Sequence, residues 1–260
     1  MNLETVTFTV HEKVGVLTLN CPNKLNAFTK QMNVEILQVT KEVAKNEEIR
    51  ALVITGAGRA FCAGEDLGAI EAGEAIQHGE VLRTRYNPMM LAFYQLEKPV
   101  IAAVNGAAAG AGMSLALACD FRIASANASF IEAFIHIGLV PDSGSSYFLP
   151  RIVGLAKALE LSILGEKLSA EQAQELGLVT KVTQQEELME HTLAFAERLA
   201  DMPTKAIGQI KQTIYKGINS SLTEALEAES YAQEIAGQTE DHREGIAAFL
   251  EKRKPTFHGK

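Results

Sequence analysis

Apolar and polar positions alternate from the start of the chain. Residues 5–10 and 14–19 both read as strands, with Glu12 and Lys13 in the turn of a hairpin between them. The period then lengthens. Met32, Ile36, Val39 and Val43 recur on one face of a helix that Thr29 can cap and that runs to about Lys45. "ALVITG" (51–56) and "PVIAAV" (99–104) are apolar throughout, as strands covered on both faces are. Between them come a glycine-rich loop, "GAGRAFCAGED", and a helix filling much of 75–97. "FRIAS" and "ASFI" add short strands. Strand, loop and helix recurring in this way predict α/β layers with parallel pairing.

From about residue 155 the pattern is mostly helical. "SAEQAQELG" (169–177) places Ser169 as N-cap, Gln172 at the capping-box position and Gly177 as the stop. After the short strand "LVTKV", a helix is expected over 183–201, a break at Met202-Pro203, and helices over 203–216, 222–236 and 240–253. The change near 201 divides a core, 1–200, from a helical region, 201–260. No repeat of fixed period and no low-complexity tract interrupts either part.

Composition narrows the function classes. In 260 residues, 24 Lys and Arg face 32 Asp and Glu, a net charge of -8 that speaks against nucleic-acid partners. Cys21, Cys62 and Cys119 include no CxxC pair, which fits a reduced, cytoplasmic protein. The N-terminal stretch lacks a basic-then-apolar signal pattern. The uncharged run from Lys98 to Asp120 is long enough to span a bilayer, but Pro99, Asn105, Gly106, Gly110 and Gly112 make it weakly hydrophobic. It reads as a buried strand followed by a buried helix, with no membrane partner.

Most motif candidates fail on spacing. "GAGRAF" follows a strand, but the third glycine of a dinucleotide fingerprint would fall on Phe61. The six histidines form no HExxH and no close pair, so no metal site is expected. "DSGSS" is not GxSxG. Two loops remain: "AFCAGED" (60–66) and "NGAAAGAGMSLALACD" (105–120), each following a buried strand. Their small residues suit tight helix–strand packing. They also suit a pair of backbone amides aimed at one oxygen, the second from a helix N-terminus. Asp142 in "IGLVPDSGSSYFLPRIVG" has two readings as well. Asp before Ser-Gly is a common N-cap. A carboxylate among Leu139, Val140, Tyr147 and Phe148 would instead have a raised pKa suited to proton transfer.

"CPNKLNAF", "ALVITGAGRAFCAGEDL", "KPVIAAVNGAAAGAGMSLALACDFRIAS", "IGLVPDSGSSYFLPRIVG" and "FLEKRKPTF" together resemble the crotonase superfamily of enoyl-CoA hydratases and isomerases. The resemblance implies an α/β spiral of ββα units with a helical C-terminal region, and a homotrimer or dimer of trimers. It implies an acyl-CoA thioester as substrate, coenzyme A being part of that substrate and no separate cofactor being needed. By the same resemblance the thioester oxygen would sit between the backbone N–H groups of Glu65 and Ala111. The Ala63 carbonyl would accept from the adenine amine. Lys24, Leu25 and Phe257 would contact coenzyme A, and the basic run Lys252-Arg253-Lys254 would lie near its phosphates.

Two departures bear on the reaction. Hydratases of this superfamily use two glutamates, and the matching positions here are Ser114 and Phe134, expected to shape the acyl pocket. Asp142 matches the single acid of the superfamily's isomerases. "TRYNP" (84–88), "GLVPDSG" and "GQTEDHREG" (237–245) look most like the 1,2-epoxyphenylacetyl-CoA isomerases of bacterial phenylacetate degradation. Two other readings stay open: a hydratase using Asp142 with a serine-held water, and a non-catalytic acyl-CoA or RNA-binding scaffold. Residues 68–95 are expected to form the wall over the acyl tail.

Overall fold

The computed structural model describes residues 2–69 and 77–260. Among these residues, ten strands form two sheets. β1 (Val6–His11) and β2 (Val14–Leu19) make the expected hairpin; β3 (Ala51–Gly56), β5 (Val100–Val104), β7 (Phe121–Ser125) and β10 (Lys181–Thr183) extend it in parallel, in the order β1-β2-β3-β5-β7-β10. The second sheet, β4-β6-β8-β9, is built from β4 (Ala60–Cys62), β6 (Ala107–Ala109), β8 (Ser129–Ile131) and β9 (Leu168–Ser169). Three successive turns, β3-β4, β5-β6 and β7-β8, therefore each give one strand to the large sheet and the next to the small one before entering helix. This is the expected ββα spiral.

Side chains of the large sheet alternate between two apolar clusters. Leu52 and Ile54 of β3 enter one, with Val100, Ala102 and Val104 of β5. Ala51 and Val53 enter the other, with Ile101, Ala103 and Leu188, Ala196 and Leu199 of a helix packed on that face. Both faces are covered, which is why these strands lack polar alternation.

The helices are α1 (Lys30–Lys45), α2 (His78–Val81), α3 (Asn87–Gln95), α4 (Ala111–Ala118), α5 (Ser145–Val153), α6 (Leu155–Leu164), α7 (Ala170–Glu175), α8 (Leu188–Ala200), α9 (Thr204–Gly217), α10 (Leu222–Gly237) and α11 (Glu240–Glu251). Thr29 caps α1 through the Met32 amide, and Ser169 with Gln172 forms the capping box of α7. The uncharged run is strand then helix: every residue of α4 is buried, and Arg122 donates to the carbonyls of Ala116 and Cys119 at its C-terminal end, 3.2 and 2.5 Å away. Among the described residues no helix is long and apolar enough to cross a membrane.

Two expectations need adjustment. The helix expected over 75–97 begins at His78 and contains a π turn, Leu82–Tyr86, between α2 and α3. Its first positions, and part of the expected acyl wall, lie outside the described residues. The two glycine-rich loops contain strands, β4 and β6. "AFC" and "AAA" are too short and too uniform in side-chain size to carry a readable period.

Candidate active site

The two small-residue loops meet. Gly64 has φ +91°, and a Cβ there would stand 3.0 Å from the Ala109 carbonyl oxygen and 3.6 Å from the Ala111 nitrogen. A Cβ on Gly112 would stand 2.2 Å from the Cys62 carbonyl oxygen. Glycine is therefore required where β4 and its loop press against the start of α4. The close packing expected of these loops is present, and it also brings the chain around Glu65 beside the start of α4.

Peptide planarity fixes where those amides point. The Gly64 carbonyl accepts from the Phe28 N–H at 2.6 Å, so the Glu65 N–H, on the same trans peptide, points the opposite way. The Gly110 carbonyl accepts from the Ser114 N–H at 3.0 Å, so the Ala111 N–H is directed out of the N-terminus of α4. Neither amide donates to an acceptor among the described residues. Both residues border a cavity of about 490 Å³ that Tyr86, Phe134, Leu139 and Asp142 also line.

Asp142 does not cap α5. The helix begins after Gly144, and no side chain caps it. Ser143 (φ 52°) and Gly144 (φ 86°), both left-handed, separate the aspartate from the helix start. Its carbonyl accepts from the Ser145 N–H at 2.9 Å and the Ser114 hydroxyl at 3.1 Å, while the carboxylate takes only the Ser143 hydroxyl, at 2.8 Å. Burial raises its pKa above the ordinary aspartate value; the Ser143 hydrogen bond opposes this, the Glu65 charge adds to it, and His78 opposes it.

Two other carboxylates border the cavity, and both are paired. Asp66 holds Lys24 at 2.6 Å. Glu65 takes the Arg85 guanidinium at 3.0 Å and the Tyr86 hydroxyl. Among the described residues Asp142 is thus the one carboxylate of the lining without an ion-pair partner. No group of three His, Cys, Asp or Glu side chains comes together there to hold a metal, again among the described residues.

The remaining sequence candidates divide. Ala63 lines the cavity, and its amide donates to the Leu25 carbonyl at 3.0 Å, which sets Leu25 and its neighbour Lys24 beside the same loop. Phe134 lines the cavity opposite Gly110. Ser114 is not part of the lining: it is fully buried, and its hydroxyl donates to the Gly110 and Asp142 carbonyls. Phe257 is elsewhere, beside Gly245 of α11, with its carbonyl accepting from Arg50 at 2.8 Å. Lys252 turns left-handed at the end of α11 and Arg253 pairs with Glu244 at 2.5 Å, so the tail folds back on its own helix rather than toward the cavity.

One acidic group was missed. Glu132, 1% exposed, accepts from the Ser145 hydroxyl, and its second oxygen has no partner. Burial, opposed by that hydrogen bond and reinforced by the Asp142 charge, pushes its pKa up to about 7. A lone charge inside the apolar run "FIEAF" was the available signal.

The enoyl-CoA hydratase/isomerase family matches residues 9–260. The 1,2-epoxyphenylacetyl-CoA isomerase of Escherichia coli (strain K12) is 43% identical, covering 99% of this chain and 100% of its own. A probable enoyl-CoA hydratase of Rhodobacter capsulatus is 41% identical over the full length of both chains. The crystal structure of enoyl-CoA hydratase from Bacillus anthracis superposes with a TM-score of 0.93 at 34% identity, covering 99% of this chain and 100% of that one. With a crotonase fold and a match over nearly its whole length, the chain belongs to the enoyl-CoA hydratase/isomerase family.

Proposed function

We propose that this enzyme is an acyl-CoA isomerase in which Asp142 moves a proton on a thioester enolate. The observation that carries the reading is the unpaired Asp142 carboxylate on a cavity where the Glu65 and Ala111 amides are free to donate. The thioester carbonyl of a 3-enoyl-CoA lies between those amides, while Lys24, Leu25 and Ala63 contact the coenzyme. Asp142 takes a proton from C2, and the electron pair moves into the enolate. The double bond then shifts to C2–C3 as Asp142 returns the proton to C4. Each donor contributes about 3–4 kcal/mol to stabilising the oxyanion. The raised pKa of Asp142 suits both halves of the transfer. A 1,2-epoxyphenylacetyl-CoA, opening to an oxepin thioester, is a second substrate of the same class, with Asp142 again handling the proton.

Hydration needs a second group to activate water. Position 134 is phenylalanine, and the Ser114 hydroxyl is already bonded to two carbonyls. Isomerisation is therefore favoured over hydration. As for assembly, Ile210, Ile214, Ile218, Phe249 and Leu250 are each at least half exposed on α9, α11 and the turn after α9, which supports association between copies of the chain; the trimer or dimer of trimers rests on the family resemblance.

The purified protein should convert a 3-enoyl-CoA to the conjugated 2-enoyl-CoA, read by absorbance. Asp142→Asn should abolish this while still binding coenzyme A. Fast hydration of crotonyl-CoA by the wild type, or near-normal isomerisation by Asp142→Asn, overturns the proposal.

A further inference from the structure

Glu65 poses an electrostatic problem at the proposed oxyanion site. Its amide points at the position of the developing negative charge, yet its side chain is a carboxylate. Covalent geometry keeps that carboxylate within about 5 Å of its own amide. At an effective dielectric of about 20 the repulsion corresponds to roughly a hundredfold in rate, falling to about tenfold once partial exposure screens it. An oxyanion built beside an uncompensated Glu65 is disfavoured.

The structure supplies the compensation from the wall of the same cavity. Arg85 reaches Glu65 with both terminal nitrogens, Nη1 to Oε1 at 3.0 Å and Nη2 to Oε2 at 3.2 Å. The Tyr86 hydroxyl donates to Oε2 as well. Consecutive residues of an ordinary helix diverge by about 100°. Here both lie in the π turn Leu82–Tyr86, and their side chains meet the same carboxylate. The pair is anchored behind. Buried Asn33 of α1 accepts from Arg85 Nε at 3.2 Å and Nη2 at 2.9 Å, and Tyr86 meets Phe28 edge-to-face at 5.6 Å.

We propose that Arg85, assisted by Tyr86, is a positioning residue for the oxyanion site: it neutralises and holds the Glu65 carboxylate so that the Glu65 amide can donate to an enolate oxygen. The inference rests on the oxyanion reading of Glu65 and Ala111. The π turn therefore couples the acyl wall to the donor loop, and the role belongs to the charge of Arg85 acting through Glu65.

Two readouts test it: equilibrium binding of acetoacetyl-CoA, followed by absorbance of its bound enolate, and turnover of a 3-enoyl-CoA. Arg85→Met should weaken enolate binding and lower kcat by about tenfold, with KM changed less than about twofold. Arg85→Lys should recover most of the loss. In a Glu65→Gln background, Arg85→Met should cost less than about threefold, because no charge remains to compensate. Equal losses in the two backgrounds overturn the inference and assign Arg85 to folding or acyl packing. Should Arg85→Met fail to fold by circular dichroism, Tyr86→Phe in the same two backgrounds puts the same question to the second donor. A wild-type protein that turns over the 3-enoyl-CoA but binds no enolate form of acetoacetyl-CoA overturns the inference while sparing Asp142; failure of turnover with intact enolate binding overturns the isomerase reading instead.

Discussion

Glu35 and Asp142 are both withdrawn from bulk water, but their surroundings differ in kind. Glu35 on α1 accepts from the backbone amides of Glu4, Thr5 and Val6, the Thr5 hydroxyl and the Gln31 amide, at 2.6–3.2 Å. Burial alone would raise its pKa, and the hydrogen bonds from Thr5, Gln31 and the amides outweigh that and bring it to about 2. Asp142 accepts from one hydroxyl and faces apolar walls, and its pKa moves the other way. The contrast teaches that burial does not decide what a carboxylate does; the number of donors aimed at it does. A saturated carboxylate is a brace, and an undersupplied one beside a cavity is available to bind and release a proton.

The largest effect that would break this comparison is on catalysis. Asp142→Asn should lower isomerase kcat by about 10³-fold, within the range for losing a general base, and leave the thermal midpoint within a degree or two of wild type. Glu35→Gln should do the reverse. It removes a charged acceptor and leaves amides unpaired, so denaturant titration should find about 3 kcal/mol of lost stability, with kcat per folded molecule unchanged. The Glu35 pKa is depressed in the folded state, so its contribution is complete above the ordinary value of 4.5 and fades as pH falls toward about 2. Wild type and Glu35→Gln should converge there.

Glu132 sharpens the comparison. In the folded protein it keeps its proton to about pH 7, whereas an unfolded glutamate releases it near 4.5. The native state thus binds more protons across that window, and stability falls as pH rises through it. Glu132→Gln should remove this slope and gain up to about 2 kcal/mol over wild type at pH 8 relative to pH 5, read from paired urea titrations. The smallest effect is expected of Ser114→Ala. Losing the hydroxyl that holds the Asp142 carbonyl should cost about 1 kcal/mol of stability and a few-fold in kcat, measured by thermal melting and the same turnover assay.

What the sequence reveals follows the length scale of each cause. β3, β5 and α1 are legible because their apolar patterns extend over five or more residues, and the caps at Thr29 and Ser169 because they are local hydrogen bonds. β4 and β6 are not, since three small residues carry no period. The placement of Asp142 off the helix start depends on two left-handed residues after it, one of them a serine, which no propensity marks in advance. The matching tail implies a coenzyme contact for Phe257, while the course of the tail is set by a left-handed Lys252 and the Arg253–Glu244 pair, which no local pattern marks. Arg85 and Tyr86 converge on Glu65 from within a π turn, a departure from the helical period on which sequence reading relies.

The small sheet has one further consequence. Glu65 follows β4 and Ala111 follows β6, and these strands are hydrogen-bonded neighbours. Adjacent strands stand about 4.8 Å apart, a gap that admits a single oxygen atom between two donors. In the proposed oxyanion site the gauge is thus inherited from the lattice constant of a β-sheet, not from any side chain, so the residues bearing the two amides can change identity while the aperture keeps its size.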